Sequence, residues 1–190
     1  MSDAPSSLSR ANLAERIDTE LSSGGWTKAR VSLARDGERC VVVKDFAAEG
    51  RPLRRLLGRA LLRRELRAYR ALVGHPAVPR VIASLDDWAL VLEYRPGTLL
   101  SRSLKGKLPA DFVERLREAI ELMHQRGVAH LDLRHRSNIL AGEDGRPVLI
   151  DFASAICFRP GGVGARLVLP WLARIDRGAL AKWELRLQPR

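Results

Sequence analysis

The chain is poor in cysteine, with two residues, Cys40 and Cys157, among 190. Two thiols do not make a disulfide framework, and a reducing compartment is the default expectation. The start, MSDAPSSLSR, lacks an apolar stretch, so no signal peptide is expected. No apolar run approaches bilayer-spanning length. Together these absences predict a cytoplasmic protein. Aromatic residues make up 5% of the chain. They are not interleaved with its basic residues, since Tyr69 stands alone among arginines, which disfavours nucleic acid as a partner. The one glycine cluster near the N-terminus, Ser22-Ser23-Gly24-Gly25, does not fit G-x-G-x-x-G and reads as a helix stop. Acidic residues are outnumbered, 22 against 33 Lys and Arg, for a formal net charge of +11. That excess favours anionic partners: a nucleotide, a nucleic acid, a phosphorylated glycolipid or a membrane surface. A hydrophobic content of 46% is enough for a core, in one domain or one domain of two lobes.

Met1 to Ser7 is small and polar and is expected to be disordered. Ser9 or Asn12 caps an expected helix running to about Leu21, with Leu13, Ile17 and Leu21 on one face. A hairpin follows: Lys28 to Ala34, a turn at Arg35-Asp36-Gly37-Glu38, and a return from Arg39 to Phe46. The returning strand ends in Lys44, either a solvated edge charge or a functional cation. Arg51 to Leu72 predicts a helix with Pro52 in its first turn. Leu61, Glu65, Ala68 and Leu72 form one stripe, and Arg59, Arg63, Arg67 and Arg70 lie opposite. Glu65 is a carboxylate on an apolar face and needs a partner. Lys44 is one candidate, and Arg64 or Arg67 are others. The arginine face suits solvent or an anionic membrane surface, helped by Arg51, Arg54 and Arg55. Arg80 to Ser84 and Ala89 to Tyr94 read as strands, and the second ends at a Pro-Gly break. Pro109 to Arg126 is a second helix, with Val113, Leu116, Ile120 and Met123 as its stripe. Beyond Phe158, two short helices are expected, at about Val163 to Ala173 and Arg177 to Leu187. Trp171, Leu172, Leu180, Trp183 and Leu185 are expected to pack beneath the preceding polar loop.

The most informative stretch is Gly127 to Phe158. Two short apolar runs, Asn138 to Ala141 and Pro147 to Ile150, flank the turn Gly142-Glu143-Asp144-Gly145. Such a hairpin sets Asp132, Asn138 and Asp151 near one mouth. Two carboxylates and an amide form a hard-oxygen set suited to magnesium and to a phosphate held through it. His130 is expected to shape the loop by hydrogen bonding.

These residues, in this order, resemble the protein-kinase-like catalytic core, over roughly Thr27 to Leu187. His130-Leu131-Asp132 with Asn138 resembles the catalytic loop, and Asp151-Phe152-Ala153 resembles the metal-holding Asp-Phe-Gly. Asn138 lies six positions after Asp132 where five are usual, and Ala153 replaces the glycine. In these departures the chain is similar to small bacterial members of the superfamily, near the lipopolysaccharide (Kdo/heptose) kinases and the RIO-type kinases. The resemblance implies an α+β, compact two-lobe kinase-like fold with a reduced C-terminal lobe, divided at about 1–95 and 96–190. The chain after Asp151 has no room for a long activation segment ending in Ala-Pro-Glu. The resemblance also implies ATP and Mg²⁺ as the nucleotide and metal. Lys44 would hold the phosphates and Glu65 would steer Lys44. The backbone of Glu93, Tyr94 and Arg95 would meet the base. Asp132 would accept the acceptor's proton, and Asn138 and Asp151 would hold the metal. The acceptor would be a protein Ser/Thr or a lipid-linked lipopolysaccharide sugar, the latter reached at the inner face of the membrane. The longer loop and the missing glycine loop leave one alternative, a catalytically weak pseudokinase-type scaffold.

Overall fold

Alternating β-branched residues and tight turns build the first half of the chain. The computed structural model describes residues 6–24, 29–47 and 52–187, and of 52–55 the backbone alone. Of the disorder expected for Met1 to Ser7, residues 1–5 lie outside the described residues, while Ser7 is held in place by its N–H and Oγ donating to Asp36 at 2.8 and 2.6 Å. The strand start at Lys28, the Gly25 end of the helix stop and the side chains of Arg51, Arg54 and Arg55 also lie outside the described residues. Two compact units result, Met1–Leu66 with Arg80–Tyr94, and Arg67–Pro79 with Arg95–Arg190.

The first unit holds a short helix α1 (Leu13–Arg16) and a five-stranded antiparallel sheet. Its strands are β1 (Ile17–Ser22), β2 (Arg30–Asp36), β3 (Arg39–Asp45), β4 (Val81–Ser84) and β5 (Ala89–Glu93), in the order β1-β2-β3-β5-β4. The helix expected to reach Leu21 therefore stops at Arg16. Ile17 to Ser22 instead pairs with β2, with Ile17 opposite Ala34 and Ser22 opposite Val31. The pull of an available sheet edge outweighs a weak helical stripe: β1 is an edge strand with five exposed residues, and Leu21 lies in solvent. β2 and β3 pair from Arg30↔Asp45 to Asp36↔Arg39, which leaves a two-residue loop with Gly37 at φ 64°. A tight hairpin demands that conformation, and glycine adopts it without steric cost. β5 is interior to the sheet, and Ala89, Leu90, Val91 and Leu92 are all buried. Leu8, Leu13, Ala34, Val41, Val43 and Val91 form the core cluster. Helix α2 (Pro52–Ala71) begins in this unit and ends in the second.

The second unit is built on two helices and small antiparallel sheets. α3 (Phe112–Gln125) buries Phe112, Leu116, Ala119, Ile120 and Met123, with Phe112 taking the place expected of half-buried Val113. β6 (Gly97–Leu99), β8 (Ile139–Gly142) and β9 (Pro147–Leu149) form one sheet, and β7 (Val128–Ala129) pairs with β10 (Ile156–Cys157). After α4 (Val163–Leu167) comes one long helix, α5 (Leu169–Leu187). The expected break near Arg174 to Asp176 does not occur. The interruption falls at Val168, before Pro170, which the first helical turn accepts because its missing N–H has no partner to lose there. α5 buries Leu169, Ala173, Asp176, Ala179, Leu180, Trp183 and Leu187 on one face. Trp171 and Leu185, expected inside, point outward at 66% and 79% exposure, because a continuous helix carries them off that face.

Candidate active site

The β8–β9 hairpin positions the second unit's polar residues. Asn138 immediately precedes β8, and Ile150 N–H donates to Asn138 O at 3.0 Å, so Asp151 leaves the hairpin beside Asn138. Asn138 is buried, and its Nδ2 donates to both the main-chain O and Oδ2 of Asp132, each at 2.8 Å. The structure thus bonds Asn138 to Asp132, and the chain reaches Asp151 one residue after the Ile150 bond to Asn138. The six-residue step from Asp132 to Asn138 ends in a 3-10 turn over Arg136–Asn138, in which Asn138 N–H bonds back to His135 O. The Asn138 amide donors are used on the loop, while its Oδ1 accepts from Ser137 Oγ and keeps a second lone pair. Asp132 is half-buried, and its Oδ1 takes no hydrogen bond among the described residues.

Two non-glycine residues here hold positive φ: Leu131 at 69° and Asp151 at 64°. Such backbone costs on the order of 1–3 kcal/mol and persists only where the surroundings impose it. For Leu131 the cause is visible. Asp176, from the middle of α5, is fully buried, and its two carboxylate oxygens accept from His130 N–H at 2.9 Å and Leu131 N–H at 2.8 Å. His124 Nε2 bonds the same carboxylate at 3.0 Å. Asp176 therefore fixes the backbone that presents Asp132, and nothing in the sequence reading pointed to it. Trp183 adds a second tie from α5, with its Nε1 donating to Leu133 O at 2.9 Å.

His130 is fully buried. Its Nε2 donates to Ile150 O at 3.0 Å, its Nδ1 accepts from Asp132 N–H at 3.4 Å, and its ring lies 4.7 Å from that of Phe152. This pair of bonds requires the neutral imidazole, because a doubly protonated ring has no acceptor. Burial accordingly pushes its pKa down, against the opposing pull of the bond to Ile150. Phe152 in turn meets the Tyr69 ring edge-on at 5.1 Å. Lys182, also unforeseen, donates from Nζ to Arg134 O.

In the first unit, Lys44 Nζ lies 2.7 Å from Glu65 Oε1, and both side chains are buried. β3 delivers the lysine and α2 the glutamate. Lys44 sits opposite Leu90 of β5, and Glu93 lies opposite Val41. Glu93 N–H donates to Arg80 O at 2.8 Å, and its carboxylate accepts from Arg80 N–H at 3.0 Å. Arg95 side chain is anchored elsewhere, from Nη1 to Pro76 O at 2.9 Å. On the arginine face, Arg59 at 2.5 Å and Arg63 at 3.4 Å both pair with Asp87.

The donor set suits Mg²⁺, which takes one or two carboxylates and completes its shell with water and substrate phosphate. Asn138 Oδ1 and the Asp151 carboxylate are the oxygens of that kind at the hairpin's end. Among the described residues, no group of three or more His, Cys, Asp and Glu is placed to hold a metal by itself. No helix among them is long and apolar enough to cross a membrane.

No protein-family model matches the chain. It is 37% identical over 88 residues to serine/threonine-protein kinase C of Synechocystis sp., covering 42% of this chain and 16% of that protein. It is 32% identical over 143 residues to CBL-interacting protein kinase 12 of Oryza sativa subsp. japonica, covering 71% and 26%. Over 131 residues it is 30% identical to mouse serine/threonine-protein kinase 16, covering 58% and 42%. The chain spans under half the length of each relative. These homologues are Ser/Thr protein kinases and support a protein-kinase-like superfamily. The α+β architecture is compatible with a small kinase-like fold.

Proposed function

We propose that the chain is an ATP-dependent phosphotransferase that moves the γ-phosphoryl group of ATP to a hydroxyl, foremost that of a protein Ser or Thr. The observation that supports this reading is the bond from Asn138 to Asp132, with Asp151 following Ile150 out of the hairpin, at a loop where Leu131 and Asp151 hold positive φ. In this reading the acceptor oxygen attacks the γ-phosphorus, the bond to the bridging oxygen of ADP breaks, and the hydroxyl proton passes to Asp132 Oδ1. Asn138 holds Asp132 in place through its amide. Lys44, oriented by Glu65, meets the nucleotide phosphates. Asn138 Oδ1 and Asp151 would hold Mg²⁺, which when bound neutralises phosphate charge. Positioning and charge neutralisation supply most of the acceleration in such chemistry. The backbone of Glu93, Tyr94 and Arg95 would meet the base.

The names of the relatives support a protein acceptor. Within the superfamily, Ala153 and the six-residue spacing favour the small bacterial branch, and with it a lipopolysaccharide sugar as the rival acceptor. Peripheral membrane contact through the α2 arginines is weakened by the Asp87 pairs. At about 1 kcal/mol per basic residue near an anionic leaflet, Arg67 and Arg70 leave roughly 2 kcal/mol of attraction. The test is incubation with γ-labelled ATP and Mg²⁺, with protein and with glycolipid acceptors. Label in protein supports the main reading and label in glycolipid the rival. ATP binding without turnover returns the pseudokinase-type scaffold.

A further inference from the structure

A cavity of about 500 Å³ opens in the second unit, beside the loop that carries Asp132. Ser101, Arg102, Ser103, Arg136, Trp183 and Arg186 line it. Three of the six are arginines and none is acidic. Among the described residues, none of the three arginines has a carboxylate partner. Of the neighbouring acids, Glu184 pairs with Arg117 at 3.2 Å, and Asp132 accepts from Asn138 through Oδ2 and keeps Oδ1 for the acceptor hydroxyl. Arg186 lies over the Trp183 ring at 5.6 Å, and Lys182 crowds the other charges at 4.8 Å from the same ring. The Lys182 ammonium is held below its ordinary pKa by burial first and then by Arg186 and Arg134, against the pull of Asp132. Two serine hydroxyls, 2.7 Å apart, add neutral donors. The cavity belongs to the catalytic-loop neighbourhood on two counts. Arg136 lies between Asp132 and Asn138 in the loop, and Trp183 is bonded to Leu133 O, one residue from Asp132.

From this we infer that the cavity is an acceptor subsite for a phosphomonoester, so that the preferred acceptor already carries a phosphate group near its reacting hydroxyl. Guanidinium groups grip phosphate oxygens through paired, charge-assisted hydrogen bonds, and hydroxyls complete the shell. Uncompensated arginines clustered in a concavity repel one another, and an arriving dianion relieves that repulsion. The volume exceeds what a phosphate alone needs, so the group bearing it enters as well. A phosphorylated side chain and a sugar phosphate share this chemistry. The assignment of the subsite to the acceptor rests on the phosphotransferase reading, while anion binding stands apart from it.

The experiment titrates the full chain, without nucleotide and at low salt, with O-phosphoserine, glucose 6-phosphate, serine and glucose. The phosphomonoesters should bind and the neutral parents should not, with binding weakened by added salt. The Arg102→Gln/Arg186→Gln double variant should bind at least about tenfold more weakly. Arg102→Gln alone, at an exposed side chain, should weaken binding several-fold without altering the melting temperature. Arg166→Gln, an exposed arginine on α4, should bind like the wild type. Binding of O-phosphoserine alone points to a phosphorylated protein, binding of glucose 6-phosphate alone to a phosphorylated sugar, and binding of both to the phosphate itself. Phosphomonoesters that bind no better than their parents overturn the inference, as does an Arg166→Gln loss equal to that of the double variant. ATP turnover is measured on the same preparation. Turnover without phosphomonoester binding sinks the subsite and spares the phosphotransferase reading, and binding without turnover sinks that reading and the acceptor role while leaving the anion site.

Discussion

Removing the Asp176 carboxylate should disorder the loop that presents Asp132. In Asp176→Ala, the N–H groups of His130 and Leu131 and the Nε2 of His124 lose their shared acceptor in a site sealed from water. A hydrogen bond to a charged group is worth about 1.5–3 kcal/mol, and a buried donor left unsatisfied costs about 1–3 kcal/mol. Leu131 also sits at φ 69°, a conformation about 1–2 kcal/mol above the ordinary basins for an L-residue. Without the carboxylate, Leu131 N–H loses its acceptor, and only the ties on either side of it, such as Trp183 to Leu133 O, oppose a return to negative φ. These contributions overlap, because a loop that relaxes satisfies some donors and sheds the strain. A net loss of about 3–5 kcal/mol is therefore expected, a large share of the roughly 5–15 kcal/mol that a domain possesses. Asp176→Asn keeps one acceptor oxygen and nearly the same volume, so it should lose about half as much. Urea unfolding at neutral pH reads the loss as a shift of the midpoint with little change in slope. ATP turnover should fall in both variants, and further in alanine, since Asp132 loses its placement. An Asp176→Ala protein within about 1 kcal/mol of wild type would refute the reasoning, because surface substitutions commonly stay inside that range.

Four other outcomes are expected. Asp151→Asn should abolish Mg²⁺-dependent ATP binding or turnover, while Asp144→Asn in the β8–β9 turn should leave both unchanged, since Asn can still accept from Arg146 N–H; equal effects in a nucleotide-binding assay would deny Asp151 its role. Lys44→Met should weaken ATP binding by about tenfold or more in a direct titration, the loss expected of a phosphate-contacting lysine. Gly127→Ala should lower stability by about 1–3 kcal/mol from backbone strain alone, since Gly127 holds φ 81°; the added Cβ would also lie 2.4 Å from Phe158 O, and an unchanged melting temperature would contradict the fit. Acid should destabilise the fold through His75 and His130, both held below the ordinary imidazole value chiefly by burial. Each is depressed in the folded state, so its contribution is complete above the unfolded value of about 6.5 and is lost as pH falls from there through the lowered folded value. His75 donates from Nε2 to Ala119 O and accepts from Ala77 N–H, so His75→Gln should flatten the dependence of the urea midpoint on pH.

What could be read from the sequence was what short-range pattern controls. The β2–β3 and β8–β9 hairpins rest on alternation and on turn residues within a few positions, and both appear where those signals lie. The α2 and α3 helices follow from strong apolar stripes. The error at Ile17 to Ser22 has the opposite origin. Its helical stripe was real but thin, and the competing interaction came from β2, which no local window around Ile17 contains.

Asp176 shows why part of the site stayed hidden, and that the signal was present. Its partners His130 and Leu131 lie 46 and 45 residues away, so no motif spacing announces them. Yet the physical argument that picked out Glu65, a carboxylate on an apolar stripe that needs a partner, applies equally to Asp176. Leu169, Ala173, Asp176, Leu180, Trp183 and Leu187 follow one another at spacings of three and four, the signature of a single helical face. Splitting the segment near Arg174 broke that face in two and left Asp176 in an apparent linker, where a carboxylate asks for no explanation. Gly178 lies inside the helix all the same, since a glycine there costs only about 1 kcal/mol and is outweighed by a long buried face. Once α5 is continuous, burial of the whole stripe forces the Asp176 carboxylate to find donors. Two of its donors, the amides of His130 and Leu131, begin the segment that presents Asp132.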